Sequence, residues 1–94
     1  DMTNEYVRAV TEQGLGYAEL KKIARAGLHY SFLPGAALWA DVAGLKPGAA
    51  CADLAAPACA RFLSANEKAR LQADLEQRLA AYETARLARA TKEN

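Results

Sequence analysis

The sequence is poor in the residues that carry chemistry. It has one histidine and two cysteines in 94 residues. The cysteines, Cys51 and Cys59, do not form a CxxC pair, so we expect no structural zinc site. The two serines, Ser31 and Ser64, lie outside any GxSxG motif, and there is no second histidine for a serine triad. The residues alone therefore assign no catalytic, cofactor-binding or metal-binding position.

β-branched residues and charge of one sign are also scarce. Val, Ile and Thr total 8 residues, whereas Ala and Leu total 35, and this ratio favours helices over sheets. Twelve basic residues against 11 acidic ones leave a net charge of +1, which excludes a strongly basic nucleic-acid binder. No apolar run approaches the roughly 18 residues of a membrane span. We therefore expect neither a nucleic acid nor a membrane as a partner.

The length allows a single helical segment over residues 1–94, with about four helices. The first is predicted from Thr3 or Asn4 to Gly14, and the second begins near Tyr17 and stops before Pro34. One face of the second helix is apolar at helical spacing. That face comprises Leu20, Ile23, Ala24, Gly27, Leu28 and Ser31.

The second half of the chain predicts a short helix followed by a long one. Residues 36–43 are compatible with a short helix that ends at Gly44, and residues 49–56 look like a loop. Pro57 suits the first turn of a helix that runs to about residue 63. The last helix is predicted over residues 65–90, after a capping box of Ser64 and Glu67. Its apolar stripe includes Leu71, Leu75, Leu79 and Tyr82.

The long helix predicts an incomplete domain. A helix over residues 65–90 would measure roughly 39 Å, whereas a compact globule of this length is about 32 Å across. We therefore expect this helix either to pack against a partner or to lie across a larger body. We also expect apolar surface to be exposed along residues 20–28 or 71–82, with self-association through those faces as a consequence.

Three further features are expected to serve structure rather than chemistry. His29 lies beside the apolar stripe of the second helix, and the expected role is that of a residue at the rim of the core. Tyr17, Tyr30, Phe32 and Trp39 are expected to fill the core, because no basic stripe accompanies them. Gly14-Leu15-Gly16 lacks the preceding strand and third glycine of a dinucleotide fingerprint and is expected to be a turn.

Cys51 and Cys59 leave two alternatives open. A disulfide between them would close a short loop and would place the protein in the periplasm or outside the cell. Two small buried thiols, which behave as hydrophobic residues, would instead be consistent with the cytoplasm.

Several short motifs resemble the C-terminal portion of metal-dependent adenosine deaminases, in particular the bacterial branch related to the secreted adenosine deaminase growth factors. The resemblance covers residues 3–82. The motifs are TNEY at residues 3–6, GLGYAELKKIAR at 14–25, YSFLPG at 30–35, LW at 38–39 and EKARLQ at 67–72. Ala26 and Gly27 depart from the family pattern, which has Asn-Ser there.

The resemblance implies a (β/α)8 barrel with one catalytic Zn²⁺ in the parent enzyme. In that family the zinc lowers the pKa of a bound water, which attacks C6 of adenosine and releases ammonia to give inosine. None of the family's zinc ligands or catalytic residues maps onto residues 1–94, and Asp1 is not assigned as a ligand. The resemblance thus implies that the chain is the C-terminal portion of a larger catalytic domain, to which it contributes scaffold helices. The rest of the barrel would be its partner, and a purine nucleoside would be the substrate of the parent enzyme. The alternative is a free-standing helical module for protein interaction.

Overall fold

The computed structural model describes the backbone of residues 16–93 and the side chains of residues 16–89. The elements in chain order are α1 (Tyr17–His29), β1 (Trp39–Asp41), β2 (Lys46–Pro47), α2 (Pro57–Ala65) and α3 (Glu67–Glu93), with a 3-10 helix at Ala49–Cys51 after β2. The described residues are therefore mostly helical, with three α-helices and one small antiparallel sheet. The first predicted helix, over residues 3–13, lies outside the described residues.

The first apolar cluster joins α1 to the middle of α3. Ala24 and Leu28 of α1 are buried against Leu75 and Leu79 of α3. Each pair is spaced by four residues, so its members lie on one face of their helix. The two predicted stripes thus cover each other along these residues, so most of the apolar surface expected to be exposed along residues 20–28 or 71–82 is buried, and Ile23 is the large apolar residue of those stretches that stays exposed.

The predicted stripe of α1 is broader than the face that is buried. Leu20, Ala24 and Leu28 are buried, but Ile23 is 49% exposed and Gly27 is also exposed. Ile23 and Gly27 lie to one side of the buried residues on the helical wheel. Among the described helices, α3 is the one that packs extensively on α1. It covers about one residue of each turn of α1, and Ile23 and Gly27 lie outside the covered stripe.

The second apolar cluster lies at the other end of the molecule, around the disulfide. Leu38, Cys51, Cys59 and Ala69 are buried there, and Trp39 packs against them. The chain brings the segment before β1, the 3-10 helix, α2 and the first turns of α3 to this cluster. Because Ala69 has no side chain beyond Cβ, the neighbouring elements approach α3 closely at this point.

Residues 36–43 do not form the short helix that their composition suggested. Trp39–Asp41 instead forms β1, which pairs with β2 in an antiparallel arrangement in which Trp39 lies opposite Pro47. The backbone N–H of Gly48 extends this pairing by donating to the carbonyl of Leu38 at 2.9 Å. Pairing with β2, which follows after four residues, therefore overrides the helical preference of the Ala- and Leu-rich stretch.

The junction between α2 and α3 differs from the predicted capping box. Ser64 belongs to α2, which ends at Ala65, and Asn66 has an extended backbone between the two helices. The Asn66 side chain accepts a hydrogen bond from Ala36 N at 2.7 Å, and Lys68 N donates to the carbonyl of Pro34 at 2.9 Å. The backbone N–H of Lys68, in the first turn of α3, thus finds its hydrogen-bond acceptor in the segment after α1 rather than in a capping side chain.

Gly35 makes this close approach possible. Its φ is 89°, a left-handed conformation that residues with a Cβ rarely adopt. A Cβ at this position would lie 2.8 Å from the Cα of Asn66. The Pro34-Gly35 turn, which follows α1, therefore brings the chain into direct contact with the junction of α2 and α3.

The last part of α3 extends beyond the packed region. The helix has 27 residues, and the longest dimension of the molecule is 42 Å. Residues 83–89 are all exposed, whereas Leu79, about one turn before residue 83, and Leu75, about two turns before it, are buried. The prediction of one long last helix is confirmed.

Candidate functional site

The contact between α1 and α3 is bordered by a bidentate ion pair. Arg25 Nε donates to Glu76 Oε2 at 2.9 Å, and Arg25 Nη2 donates to Glu76 Oε1 at 2.8 Å. The side chains are 15% and 26% exposed, so the pair is largely shielded from water. The hydrogen bonds to Glu76 raise the pKa of Arg25 further above its usual value. Arg25 is therefore a fixed cation that orients one helix on the other.

A second set of polar contacts between α1 and α3 meets at Glu83, about two turns beyond Glu76. Tyr17 Oη donates to Glu83 Oε2 at 3.0 Å, and Lys21 Nζ lies 3.4 Å from the same oxygen. Arg86 lies over the Tyr17 ring, with its guanidinium carbon 5.8 Å from the ring centroid. Burial and then the hydrogen bond to Glu83 raise the pKa of Tyr17 to about 12. Tyr17 is therefore a neutral hydrogen-bond donor at physiological pH, not a nucleophile.

Gln72 is the one fully buried polar side chain among the described residues, at 1% exposure. Its Oε1 accepts a hydrogen bond from Leu38 N at 2.7 Å, and its Nε2 lies 3.4 Å from His29 Nδ1. His29 is half-buried, and its carbonyl accepts a hydrogen bond from Lys68 Nζ at 3.1 Å. These contacts place His29 at the rim of the core, as predicted, with its ring nitrogen turned toward an amide.

The structure joins Cys51 and Cys59 in a disulfide, and both residues are 1% exposed. Of the two alternatives that the sequence left open, the disulfide is the one observed. The bond connects the 3-10 helix to α2 across the second apolar cluster. Because both sulfurs are buried in the core, the disulfide is a structural element rather than an accessible redox site.

The donor set of the described residues does not fit zinc. No group of three or more His, Cys, Asp or Glu side chains suited to a metal ion occurs in this part of the chain. His29 Nδ1 faces Gln72, and both cysteines are joined to each other. Ser31 Oγ donates to the carbonyl of Leu28 at 2.7 Å, a contact that closes the end of α1.

The most exposed large apolar side chains lie at the end of α1 and just beyond it. Tyr30 is 73% exposed and Phe32 is 106% exposed. The prediction that these two aromatics would fill the core is therefore wrong, whereas Trp39 and Tyr17 do pack against the apolar clusters. Ile23 extends this exposed surface along α1. Large apolar groups in water are typical of surfaces that another molecule covers.

None of the helices that the structure describes is long and apolar enough to cross a membrane. The chain was also compared with protein-family models, with curated proteins and with solved structures, and no match was found.

Sequence reasoning missed Gln72 as the polar centre of the core. Its position contains a signal, because Gln72 lies three residues after Ala69 and three before Leu75, on the buried side of α3. A polar residue on such a face needs hydrogen-bond partners, and here Leu38 N and His29 supply them. The exposure of Tyr30 and Phe32 had no corresponding signal, since apolar residues of this kind usually pack inside.

Proposed function

We propose that this chain is the C-terminal helical part of an adenosine deaminase-like zinc hydrolase, and that it contributes scaffold rather than catalytic residues. The parent reaction would convert adenosine and water to inosine and ammonia. The proposal is supported by the order and spacing of the motifs between residues 3 and 82. It is also supported by where the structure places the side chains of those motifs.

The exposure of Tyr30 and Phe32 carries the proposal. Both residues belong to the YSFLPG motif at residues 30–35, through which the chain resembles the family, and both are largely in water. Burying an aromatic side chain contributes roughly 2–3 kcal/mol. A larger body that covers this surface would gain that free energy, and the rest of a (β/α)8 barrel is such a body.

The proposal assigns the zinc ligands to the rest of the barrel, since the described residues of this chain bring together no group of three or more His, Cys, Asp or Glu side chains suited to a metal ion. When bound in the parent enzyme, zinc would supply an activated water for attack on the purine. Under the proposal, this chain's own helices hold the barrel in shape. The Arg25–Glu76 pair and the apolar contact of Leu28 with Leu75 would keep α1 and α3 in a fixed relative orientation.

The gene sequence upstream of Asp1 tests the proposal first. We expect it to encode a His-x-His motif after an early strand, and an Asp-Asp pair within about a dozen residues of Asp1, as in the family's barrels. An unrelated domain or a start codon at this place would contradict the assignment.

A binding experiment tests the scaffold role independently. Phe32→Asp would place a charge on the exposed surface and should prevent the chain from associating with the separately produced upstream polypeptide. Leu54→Asp is the matched control, since Leu54 is 69% exposed in the loop before α2. Equal association of both variants would count against this surface as the contact with the barrel.

A second function is favoured by one observation. The described residues form two apolar clusters, one of which contains a buried disulfide, and this packing is typical of a module that folds without a larger body. A free-standing helical interaction module would use the same exposed aromatics to bind a partner protein. A gene that encodes this module alone would favour it over the scaffold role.

We also propose that the protein works in an oxidising compartment, either the periplasm or the extracellular space. The buried Cys51–Cys59 disulfide supports this proposal, because structural disulfides persist mainly in such compartments. Thiol labelling of the protein in intact cells, without reductant, should leave both cysteines unmodified. Labelling of both after denaturation alone would contradict it.

A further inference from the structure

A cavity of about 330 Å³ lies beside the second apolar cluster. Trp39 of β1, Pro47 of β2, Leu63 of α2 and Ala73 of α3 are among the residues that line it. Cys59, which is 1% exposed, lines it as well, so the cavity reaches inward as far as the disulfide. Its volume is at the lower end of the range for clefts that bind small molecules in proteins, about 300–1,000 Å³. Four elements of the fold thus surround a space that is large enough for a ligand.

Two leucines from different loops also line the cavity and remain exposed. Leu45, in the turn between β1 and β2, is 40% exposed, and Leu54, in the loop before α2, is 69% exposed. Leu45 has a φ of 53° and is the one non-glycine residue with positive φ in the part of the chain that the structure describes. This conformation is disfavoured for leucine because its Cβ crowds the backbone, and burial in the core does not compensate for it here. Backbone strain of this kind concentrates at functional sites.

The cavity offers no free charge to an occupant. Glu76 is the one charged residue that lines it in the part of the chain that the structure describes. Both carboxylate oxygens of Glu76 already accept hydrogen bonds from Arg25, at 2.9 and 2.8 Å. The other polar side chain in the lining is that of Gln77, whose amide can donate and accept hydrogen bonds. Because an ion that loses water on an apolar surface needs a partner of opposite charge, these walls favour a neutral occupant.

We propose that this cavity binds a small neutral molecule that has an apolar body and one hydroxyl or carbonyl group. The apolar body would lie between Trp39 and Leu45, and the polar group would bond to the amide of Gln77. At about 30 Å³ for each water-sized group, the volume holds about ten non-hydrogen atoms. Neither Tyr30 nor Phe32 lines the cavity, so this inference does not depend on the proposed scaffold role.

The fluorescence of Trp39 tests the inference directly, because it is the one tryptophan of the chain. The full chain is titrated with n-octanol, and with octanoate and octylammonium as ions of the same chain length. We expect a saturable change in emission with n-octanol and at least about tenfold weaker binding of both ions. No saturable change with n-octanol, or binding of either ion as tight as that of the alcohol, would overturn the proposal.

A cavity-filling variant with a matched control locates the site. Ala73→Leu places a larger side chain in the cavity and should weaken n-octanol binding by at least about tenfold. Ala80→Leu makes the same change at an exposed position of α3 and should alter the affinity by less than about twofold. Both residue types are good helix formers, so the helix itself is preserved.

A second variant covers the case in which Ala73→Leu disturbs the packing around it. Leu45→Gly removes one wall of the cavity and should weaken n-octanol binding by about tenfold. Its melting temperature should be equal to that of the wild type or higher, because glycine tolerates positive φ. Unchanged binding by Leu45→Gly and by folded Ala73→Leu would refute the assignment.

Discussion

The side-chain oxygen of Gln72 accepts a hydrogen bond of 2.7 Å from the backbone N–H of Leu38, and both residues are buried. This contact attaches the segment before β1 to the second turn of α3. It also satisfies a backbone donor that has no access to water at this position. The fold therefore depends on a polar contact inside the second apolar region of the molecule.

Replacing Gln72 by Leu should destabilise the protein by about 1–3 kcal/mol, because Leu38 N would lose its acceptor while still buried. Urea denaturation followed by circular dichroism measures the change. Gln77→Leu, at an exposed position of the same helix, is the control and should have little effect. Equal midpoints for the two variants would show that the hydrogen bond contributes nothing to stability.

The Arg25–Glu76 pair should show strong coupling in a double-mutant cycle. We expect a coupling free energy of about 1–2 kcal/mol for Arg25→Met and Glu76→Gln, because the contact is bidentate and largely shielded from water. The exposed pair of Glu67 and Arg70, whose atoms are 3.6 Å apart, should give less than about 0.5 kcal/mol. Coupling of equal size in both cycles would contradict the structural difference between them.

Reduction of the disulfide should lower the free energy of unfolding by roughly 2–3 kcal/mol in the loop-entropy description. The double variant Cys51→Ser with Cys59→Ser should be less stable than the wild type and insensitive to reductant. Thermal unfolding with and without dithiothreitol makes the comparison. A wild type that unfolds at the same temperature in both buffers would argue against a stabilising disulfide.

We expect the contribution of Tyr17 to the stability of the folded protein to be lost at high pH. Its pKa is raised from 10.0 to about 12 in the folded protein, so deprotonation is easier in the unfolded chain. Its contribution is therefore complete below pH 10 and decreases as the pH rises from 10 toward 12. The stability difference between the wild type and Tyr17→Phe should decrease over this interval. A difference that is constant or increases would show that the pKa is not raised.

The sequence predicted the buried face of α1 more reliably than the small sheet, although it did not predict that α3 would cover that face. Leu20, Ala24 and Leu28 recur every four residues, and this spacing places them on one face whatever the partner is. Trp39–Asp41 has no such local pattern. Its strand conformation depends on pairing with Lys46–Pro47, and a contact between separate segments is not encoded in the local propensity of either.

The exposed surface could not be predicted for a related reason. Tyr30 and Phe32 are apolar, and apolar aromatics are buried in most folded chains. Their exposure follows from the Pro34-Gly35 turn, which directs the backbone onto Asn66 and away from α1. Leu45 likewise has no sequence signal for positive φ, since Gly44 is the residue that would be expected to adopt it.

We propose above that the rest of a zinc-dependent deaminase barrel covers the surface of Tyr30 and Phe32. Adenosine deamination by the separately produced upstream polypeptide, with zinc, before and after this chain is added, tests that proposal. We expect the wild-type chain to restore conversion to inosine, and we expect Phe32→Asp to abolish the restoration while Leu54→Asp does not. Conversion by this chain alone, or no dependence on the chain at all, would contradict the claim.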